Sequence, residues 1–570
     1  MRSSRSGRIA ACTALAVAAG MLLSGPVSAT EKPVPTAKAE RPKVESRATG
    51  VHPKAPAAKA KAGTRSAAAA VTPLFDVDHD GWQDILYRTI DGTWYLKTFN
   101  DPQDPQYILA DGGSGEDFKD VIPAGDLDHD GRPELLTLSV SGKLSLLKAD
   151  KYSADRTGSS GNGWGIYNKV TGVGDVTGDG NPDLLARTHA GALYLYPGNG
   201  TAGSGTPYGS RVALGGGWDI YSQILGGGDF NNDGKTDLLA ATPGGALYMY
   251  PGNGAGFGNR VARGTGWNMY NQLQVMTSSE AGTSWVVGRD SGGKMWSYRP
   301  NASGGFDSRV AMGVNWEYTN LYAGQGGVPA HGRSELVART SNGAVYYYYG
   351  KMNGGFGNRD EVFAPGEAPV NQVGLSVASS FSALNQTNWL MWVGGDLYNN
   401  GDFVGGGWGI YNALVGVGDV TADGYGDLLA RDKSNVLWLY PSRGNGNQFG
   451  SRVRLGAGWG IYNKLFGAGD VTGDGRADLL ARGTDGSLWA YPGNGTSVFG
   501  DRIKIGASGW NGLKKLAAVG DITGDGRTDL VGVDAGGTAY LYKATGLKGL
   551  NTFQGNTPAG GGWNAYIDLF

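Results

Sequence analysis

The chain repeats itself about every fifty residues, and that period limits it to folds made by stacking one small unit many times. One unit opens with Gly163-Trp164-Gly165-Ile166-Tyr167-Asn168 and continues through Gly174-Asp175-Val176-Thr177-Gly178-Asp179-Gly180 to Asp183-Leu184-Leu185-Ala186-Arg187. It then runs through Gly191-Ala192-Leu193-Tyr194-Leu195-Tyr196-Pro197-Gly198 and closes on Tyr208-Gly209-Ser210-Arg211. Near copies start at Trp408 and Trp459. Loop starts at Asp76, Asp126, Asp175 and Asp229 are 50, 49 and 54 residues apart, and those at Asp419, Asp470 and Asp521 are 51 and 51 apart. The 190 residues between Asp229 and Asp419 hold three further units, marked by Trp267 to Tyr270, Trp316 to Tyr318 with Ser334 to Arg339, and Trp389 to Trp392. Ten units result, seven with intact loops and three eroded.

Within a unit the apolar runs are short, rich in leucine, β-branched and aromatic residues, and bounded by Gly, Pro and Asn, which predicts strands of a few residues. Four short strands per fifty residues predict an all-β chain, a β-propeller of ten four-stranded blade units. The last residues, Trp563 to Phe570, match the segment Trp459 to Phe466 that elsewhere precedes a loop, while the first unit lacks this segment. The terminal piece is therefore the missing strand of a circle, which hides an open edge. The loop after Tyr322 lacks its aspartates and sits at the middle of the count, so five blades plus five is expected, with one wide ring or unequal rings as alternatives. The expected division is a signal peptide over 1–29, a linker over 30–71, a first propeller over 72–322 and a second over 323–570.

The start reads as a secretory signal: Arg2, Arg5 and Arg8, an apolar stretch from Ile9 to Leu23, and small residues up to Ala29. The stretch is too short to favour a membrane span. Residues 30–71 are rich in Pro, Ala and Lys and read as a disordered tether. That tether carries +6 and the signal +3, which leaves −11 for the rest once both are subtracted from the total of −2. An acidic body disfavours nucleic acid as a partner. The only cysteine, Cys12, falls inside the signal, so the exported protein is expected to lack disulfides and to need another staple.

The loops supply one. Position one is Asp76, Asp126, Asp175, Asp229, Asp419, Asp470 and Asp521, and position three is Asp78, Asp128, Thr177, Asn231, Thr421, Thr472 and Thr523. Position five is Asp80, Asp130, Asp179, Asp233, Asp423, Asp474 and Asp525, and position nine is Asp84, Glu134, Asp183, Asp237, Asp427, Asp478 and Asp529. Hard oxygens at alternating positions, with glycine at position six for the sharp turn, suit a structural Ca²⁺ in each intact loop. Zinc would want Cys or His, and magnesium a stricter octahedron. Affinities of roughly 10⁻⁴ to 10⁻³ M are expected, as in extracellular modules. The bland alternative is an Asx-rich turn bonded to its own backbone. His79 and His129, at position four, are expected to face solvent.

The Gly-Asp-x-Thr-Gly-Asp-Gly-x-x-Asp-Leu pattern resembles the FG-GAP/VCBS repeat family, which implies propellers with calcium loops of integrin-α type. The Trp-x-x-Tyr-x-x-Leu-Phe and Gly-x-Leu-Trp/Tyr-x-Tyr elements are similar to tachylectin-like five-bladed lectins, in which sugars sit between blades. The nearest matches are Trp164, Trp218, Trp267, Trp408 and Trp459, with Asn168, Asn271, Asn412 and Asn463 as amide partners and Arg187, Arg431 and Arg482 as further donors. A tryptophan at one register also suits packing between blades. The five histidines, His52, His79, His129, His189 and His331, fall in no triad context, and no Gly-x-Ser-x-Gly or His-Glu-x-x-His occurs, so no enzyme is expected. Two readings stand: a secreted lectin for cell-surface or wall glycans, and a scaffold subunit binding a secreted protein, for which the run Tyr346 to Tyr349 would suit an interface.

Overall fold

The computed structural model describes residue 48 and residues 72–570, apart from 99–104, 110–117, 203–205, 280–281, 302–303, 330–331, 383–385 and 497–498. The expected signal and tether lie outside the described residues, except for Ala48. Among the described residues the only helices are short 3-10 turns, and none is long and apolar enough to cross a membrane.

Ten sheets form, numbered here as blades 1 to 10 in chain order. Among the described residues eight are four-stranded, and in seven of them the chain moves from the innermost strand outwards. Blade 3 is typical: Tyr167–Gly174 is innermost, then Asp183–Thr188, Leu193–Tyr196 and Val212–Gly215. Its second strand is buried on both faces because a blade lies to either side. The third strand, Leu-Tyr-Leu-Tyr, alternates between buried leucine and half-buried tyrosine. Blades 1 and 2 depart from the expected four strands. Among the described residues blade 1 has three, and the short strand Ile108–Leu109 instead pairs in parallel with Ser153–Gly161 of blade 2, which becomes five-stranded.

The sheets form two closed circuits of five. In blade 1, Ile85–Thr89 pairs with Thr319–Tyr322, and in blade 6, Glu335–Thr340 pairs with the terminal strand Tyr566–Leu569. Side-chain packing follows the same circuits. Ile122 and Leu136 of blade 2 meet Val170 and Leu184 of blade 3, Val173 and Leu185 meet Ile224 and Leu238 of blade 4, and Leu225 and Leu239 meet Leu273 and Val286 of blade 5. Met276 and Val287 then meet Ile85 and Tyr87 of blade 1, and Phe75 and Leu86 return to Val121 and Leu135 of blade 2. Blades 6 to 10 repeat the pattern, ending where Ala517 and Val531 of blade 10 meet Leu336 and Ala338 of blade 6. The protein is thus two five-bladed β-propellers in series.

Innermost strands converge closely enough to demand glycine. A Cβ on Gly172 would lie 2.1 Å from the Pro123 carbonyl oxygen of the preceding blade, and one on Gly467 would lie 1.8 Å from that of Gly416. Any side chain there would widen the ring.

Candidate metal loops and inter-blade clefts

Six of the seven intact loops join the first and second strands of their blade, and the loop from Asp76 leads into the same second-strand position of blade 1, so all lie on one rim of their ring. The position-nine carboxylate starts the second strand and is buried in all seven, with Asp84 at 4% exposure and the others at 0%. Backbone amides hold it. Asp183 Oδ2 accepts from the amides of Val176 (2.8 Å) and Thr177 (2.9 Å), and Oδ1 from that of Gly198 (2.9 Å). The position-one carboxylate accepts from the position-six glycine, as Gly180 N donates to Asp175 Oδ2 at 2.9 Å. Asx-turn bonding and an oxygen cage therefore coexist, because the same amides that fold the turn aim its carboxylates inwards.

Oxygens left over test whether a cation fits. In the first loop Asp76, Asp78 and Asp84 each offer an oxygen within 4.8 Å of the others, and Asp126, Asp128 and Glu134 do so in the second. Asp84 Oδ1, Asp128 Oδ1 and Glu134 Oε1 are buried without a hydrogen-bond partner, as are the hydroxyls of Thr177 and Thr523 at position three. Burial, reinforced by Asp76, Asp78 and Asp80, pushes the Asp84 carboxyl up to about 9 despite the Val77 amide bonded to it. Burial likewise raises Glu134 to about 8 and Asp427 to about 7. A divalent cation would relieve this repulsion and complete the orphaned oxygens, so the donor set fits one.

The loops are not equivalent, which the repeat pattern does not disclose. Lys148, on the third strand of blade 2, reaches the second loop, where its Nζ lies 3.1 Å from Asp128 Oδ2, pairs with Asp130 and stands 4.0 Å from Glu134. Lys543 approaches Asp525 at 3.4 Å in the last loop. Each ammonium sits where it partly substitutes for a metal. At the eroded sixth loop, Glu335 is buried and accepts instead from Thr387 Oγ1 at 2.5 Å and from the Ser334 amide at 3.0 Å. His79 and His129 are exposed in the left-handed region, with φ of 57° and 59°.

On the opposite rim the tryptophans act as clasps. The backbone amide of Trp164 donates to Gly142 O of the preceding blade at 2.9 Å, Trp218 to Gly191 O at 3.0 Å and Trp408 to Gly395 O at 2.8 Å. The indoles pack on the third-strand tyrosine of their own blade, with ring centroids 4.9 Å apart for Trp164–Tyr196, 4.6 Å for Trp218–Tyr250 and 4.9 Å for Trp459–Tyr491. Trp218, Trp267 and Trp408 are only 7–8% exposed, and Trp164 and Trp459 are half-buried. A Gly turn followed by Trp places the ring in the blade cleft, where it has more apolar surface to cover, as the packing reading of these residues has it.

The arginines, expected as further donors, are engaged with the neighbouring blade. Arg187 Nε donates to Asn168 Oδ1 at 3.0 Å, and its Nη1 to the carbonyls of Trp218 (3.0 Å) and Tyr221 (2.6 Å) in the next blade. Arg431 and Arg482 repeat this with Asn412 and Asn463. Each Asn–Arg pair staples neighbouring blades. Asn168 and Asn271 are moreover buried against the second ring, whereas Asn412 and Asn463 are exposed. The Tyr346–Tyr349 run is part of the strand Val345–Gly350, with Tyr347 buried and the others half-buried.

Sequence reasoning also missed a repeated triad. Tyr167 and Tyr196 share a hydroxyl bond of 2.5 Å, Arg211 donates to Tyr167 Oη at 2.5 Å, and its guanidinium lies 4.3 Å from the Tyr194 ring centre. The set recurs around Arg260, Arg309, Arg359, Arg452 and Arg502. Its sequence signal was the arginine closing each unit at the register of Arg211.

One cleft differs from its counterparts. Between blades 2 and 3 lies a cavity of about 240 Å³, lined by Leu136, Leu144, Leu146, Trp164, Tyr196 and Tyr208 among others. Where the repeat elsewhere has a phenylalanine packed near the tryptophan, such as Phe306 at 5.3 Å from Trp267 and Phe449 at 6.2 Å from Trp408, this cleft has Tyr208. Its hydroxyl is buried with no partner.

The FG-GAP-like repeat family model matches residues 175–240, 419–481 and 470–532, and the FG-GAP repeat model matches 222–261. No curated protein matches the chain. Among solved structures, similarity is found to the BP39L lectin from Burkholderia pseudomallei, at 11% identity over 78% of this chain and 100% of that one, with a TM-score of 0.21. It is also found to BBS1N in complex with ARL6DN, at 10% identity over 79% of this chain and 95% of that one, with a TM-score of 0.19. Scores so low carry no argument, whereas the repeat matches fall on the aspartate loops and the strands that follow them. With its blades and loops as described, the chain is a β-propeller protein that carries FG-GAP repeats.

Proposed function

We propose that this protein is an exported binding module, a calcium-stabilised lectin-like propeller for cell-surface or cell-wall glycans, and not an enzyme. The cleft between blades 2 and 3 carries the reading. It combines an aromatic wall from Trp164 and Tyr196 with the unsatisfied hydroxyl of Tyr208, in a volume of about 240 Å³. A sugar ring needs that combination, since its C–H face packs on an aromatic and its hydroxyls want fixed polar partners. Burying an orphan hydroxyl costs stability, and a ligand that bonds to it recovers the loss. Calcium in the aspartate loops supports the site indirectly, by holding the blades that form its walls. Export fits the expected leader and the disulfide-free body, and the −11 charge of that body argues against nucleic acid.

The test is a glycan array in calcium followed by calorimetry on any hit. Tyr208→Phe should weaken binding about tenfold or more, because a hydrogen bond made only with ligand is lost, while the melting temperature holds or rises. A hit that binds Tyr208→Phe and Trp164→Ala as tightly as the parent would refute the site.

The scaffold reading has its own observation. Val212, Val261 and Val310 on the outer strands of blades 3 to 5, and Phe403 and Val453 on those of blades 7 and 8, stand 39–60% exposed. Such a repeated apolar line suits a protein partner. A pull-down from culture medium with no glycan hit would favour it.

A further inference from the structure

The two rings are stacked, and opposite rims meet. The rim of the first ring that carries the Asn–Arg staples lies on the loop rim of the second. Asn168 Nδ2 donates to Asp474 O at 3.0 Å, His189 Nδ1 bonds to the same carbonyl at 2.6 Å, and Asn271 donates to Thr523 O. Arg289 reaches Gly524 O at 3.5 Å, and Lys543 Nζ of the second ring donates to Asn271 Oδ1 at 3.0 Å. Contact is close at the position-six glycines. A Cβ on Gly475 would lie 3.0 Å from Asn168 Cβ, one on Gly424 would lie 2.7 Å from the Val140 carbonyl, and one on Gly526 would lie 2.6 Å from Val328 O.

Such an interface joins two different surfaces, so each ring keeps one of them unused. Among the described residues the loop rim of the first ring is open, with nothing within 4 Å of a Cβ built at Gly131 or Gly180 and with Asp130, Asp179 and Asp233 exposed. On the second ring the staple rim is open, with Asn412, Lys433, Asn463 and Lys514 exposed. By register Asn412 and Asn463 correspond to Asn168, and Lys433 to His189. Asn412 and Asn463 keep the same Oδ1 acceptor role toward Arg431 and Arg482 that Asn168 has toward Arg187. One free rim is rich in donors and cations, the other in carboxylates and outward carbonyls.

We infer that the free staple rim of the second ring docks onto the free loop rim of the first ring in a second copy of this chain, so that the protein assembles head to tail. A heterologous contact of this kind closes into a ring only if its rotation allows, and otherwise grows a filament. Inside one chain the short connection between rings acts as a tether with an effective concentration of about 1 mM, which the contact between copies lacks, so assembly is weak and concentration-dependent. The inference does not depend on what the blade clefts bind.

Sedimentation velocity of the calcium-loaded protein, up to about 1 mM, tests it. Mass should rise steadily with concentration and fall back at high salt. Lys433→Glu with Lys514→Glu places like charge against the acidic loops and should lower self-association about tenfold or more. Asn463 Nδ2 already donates to Gly483 O and Asn511 Oδ1, so Asn412 is the position to change: Asn412→Asp keeps an oxygen for Arg431 while replacing the amide donor, and should act alike without moving the melting temperature. A monomer throughout the range, or assembly that all three substitutions leave intact, would overturn the inference.

Discussion

Removing residues 566–570 should open the second ring and leave the first ring closed. The terminal strand pairs with Glu335–Thr340, with Val337 N donating to Phe570 O at 3.2 Å and Phe570 N to Val337 O at 2.9 Å. Tyr566 and Leu569 are 5% and 2% exposed, and burying two such side chains stabilises by about 5 kcal/mol. Tyr566 Oη also meets Tyr348 Oη at 2.5 Å and Arg359 Nη1 at 2.9 Å, and Asp568 accepts from Arg339 Nε at 3.1 Å. At roughly 1 kcal/mol net per hydrogen bond, these bonds add about 4 to 5 kcal/mol. The total, about 9 to 10 kcal/mol, rivals the whole stability of a typical domain. Truncation also bares an inner strand edge and the apolar wall of blade 10. The first ring closes with an internal strand, Thr319–Tyr322, and loses nothing directly. In calorimetry the truncated chain should lose one transition, and limited proteolysis should leave a resistant first-ring fragment. Leu569→Ala alone should cost about 2 to 5 kcal/mol on that same transition. A truncated chain that melts like the parent would refute the closure argument.

Chelation should lower the melting temperature, and added calcium should restore it; a curve unmoved by excess chelator would contradict cation binding by the loops. Lys148→Met removes the ammonium from the second loop, so the variant should be less stable than the parent in chelator and gain more from calcium, as read by the shift in Tm. Lys169→Met leaves the buried Asp120 carboxylate, 3.9 Å from Lys169 Nζ, without its partner and should destabilise the first ring by about 3 to 5 kcal/mol in denaturant unfolding. Replacing both, as Lys169→Met with Asp120→Leu, should recover most of that loss. Trp218→Ala should cost about 3 to 5 kcal/mol in the same assay, as expected for a packed ring and not for an open sugar platform.

Periodicity carries far in this chain because each unit is a self-consistent piece of local chemistry. The aspartate at position one, the glycine at position six and the carboxylate at position nine fold the same turn wherever they occur, since their bonds run to amides within a few residues. Short apolar runs between Gly, Pro and Asn can only be strands, and an orphaned Trp-Asn-Ala-Tyr segment at residues 563–566 implies a partner elsewhere. Blade count, loop register and the closing role of the terminal strand, though not the grouping of blades into five plus five, one wide ring or unequal rings, were therefore legible from residues alone.

What the blades do to one another was not. Whether Trp218 faces solvent or a neighbour depends on the preceding sheet, whose Leu193 and Leu195 share its cluster. Whether Arg187 is a ligand donor or a staple depends on the carbonyls of Trp218 and Tyr221 across the cleft. Lys148 enters the second loop from another strand of its blade, and Asn168 is covered by a loop 306 residues later. Local hydrogen bonding is written in adjacent residues, whereas burial and charge pairing are settled only when distant surfaces meet.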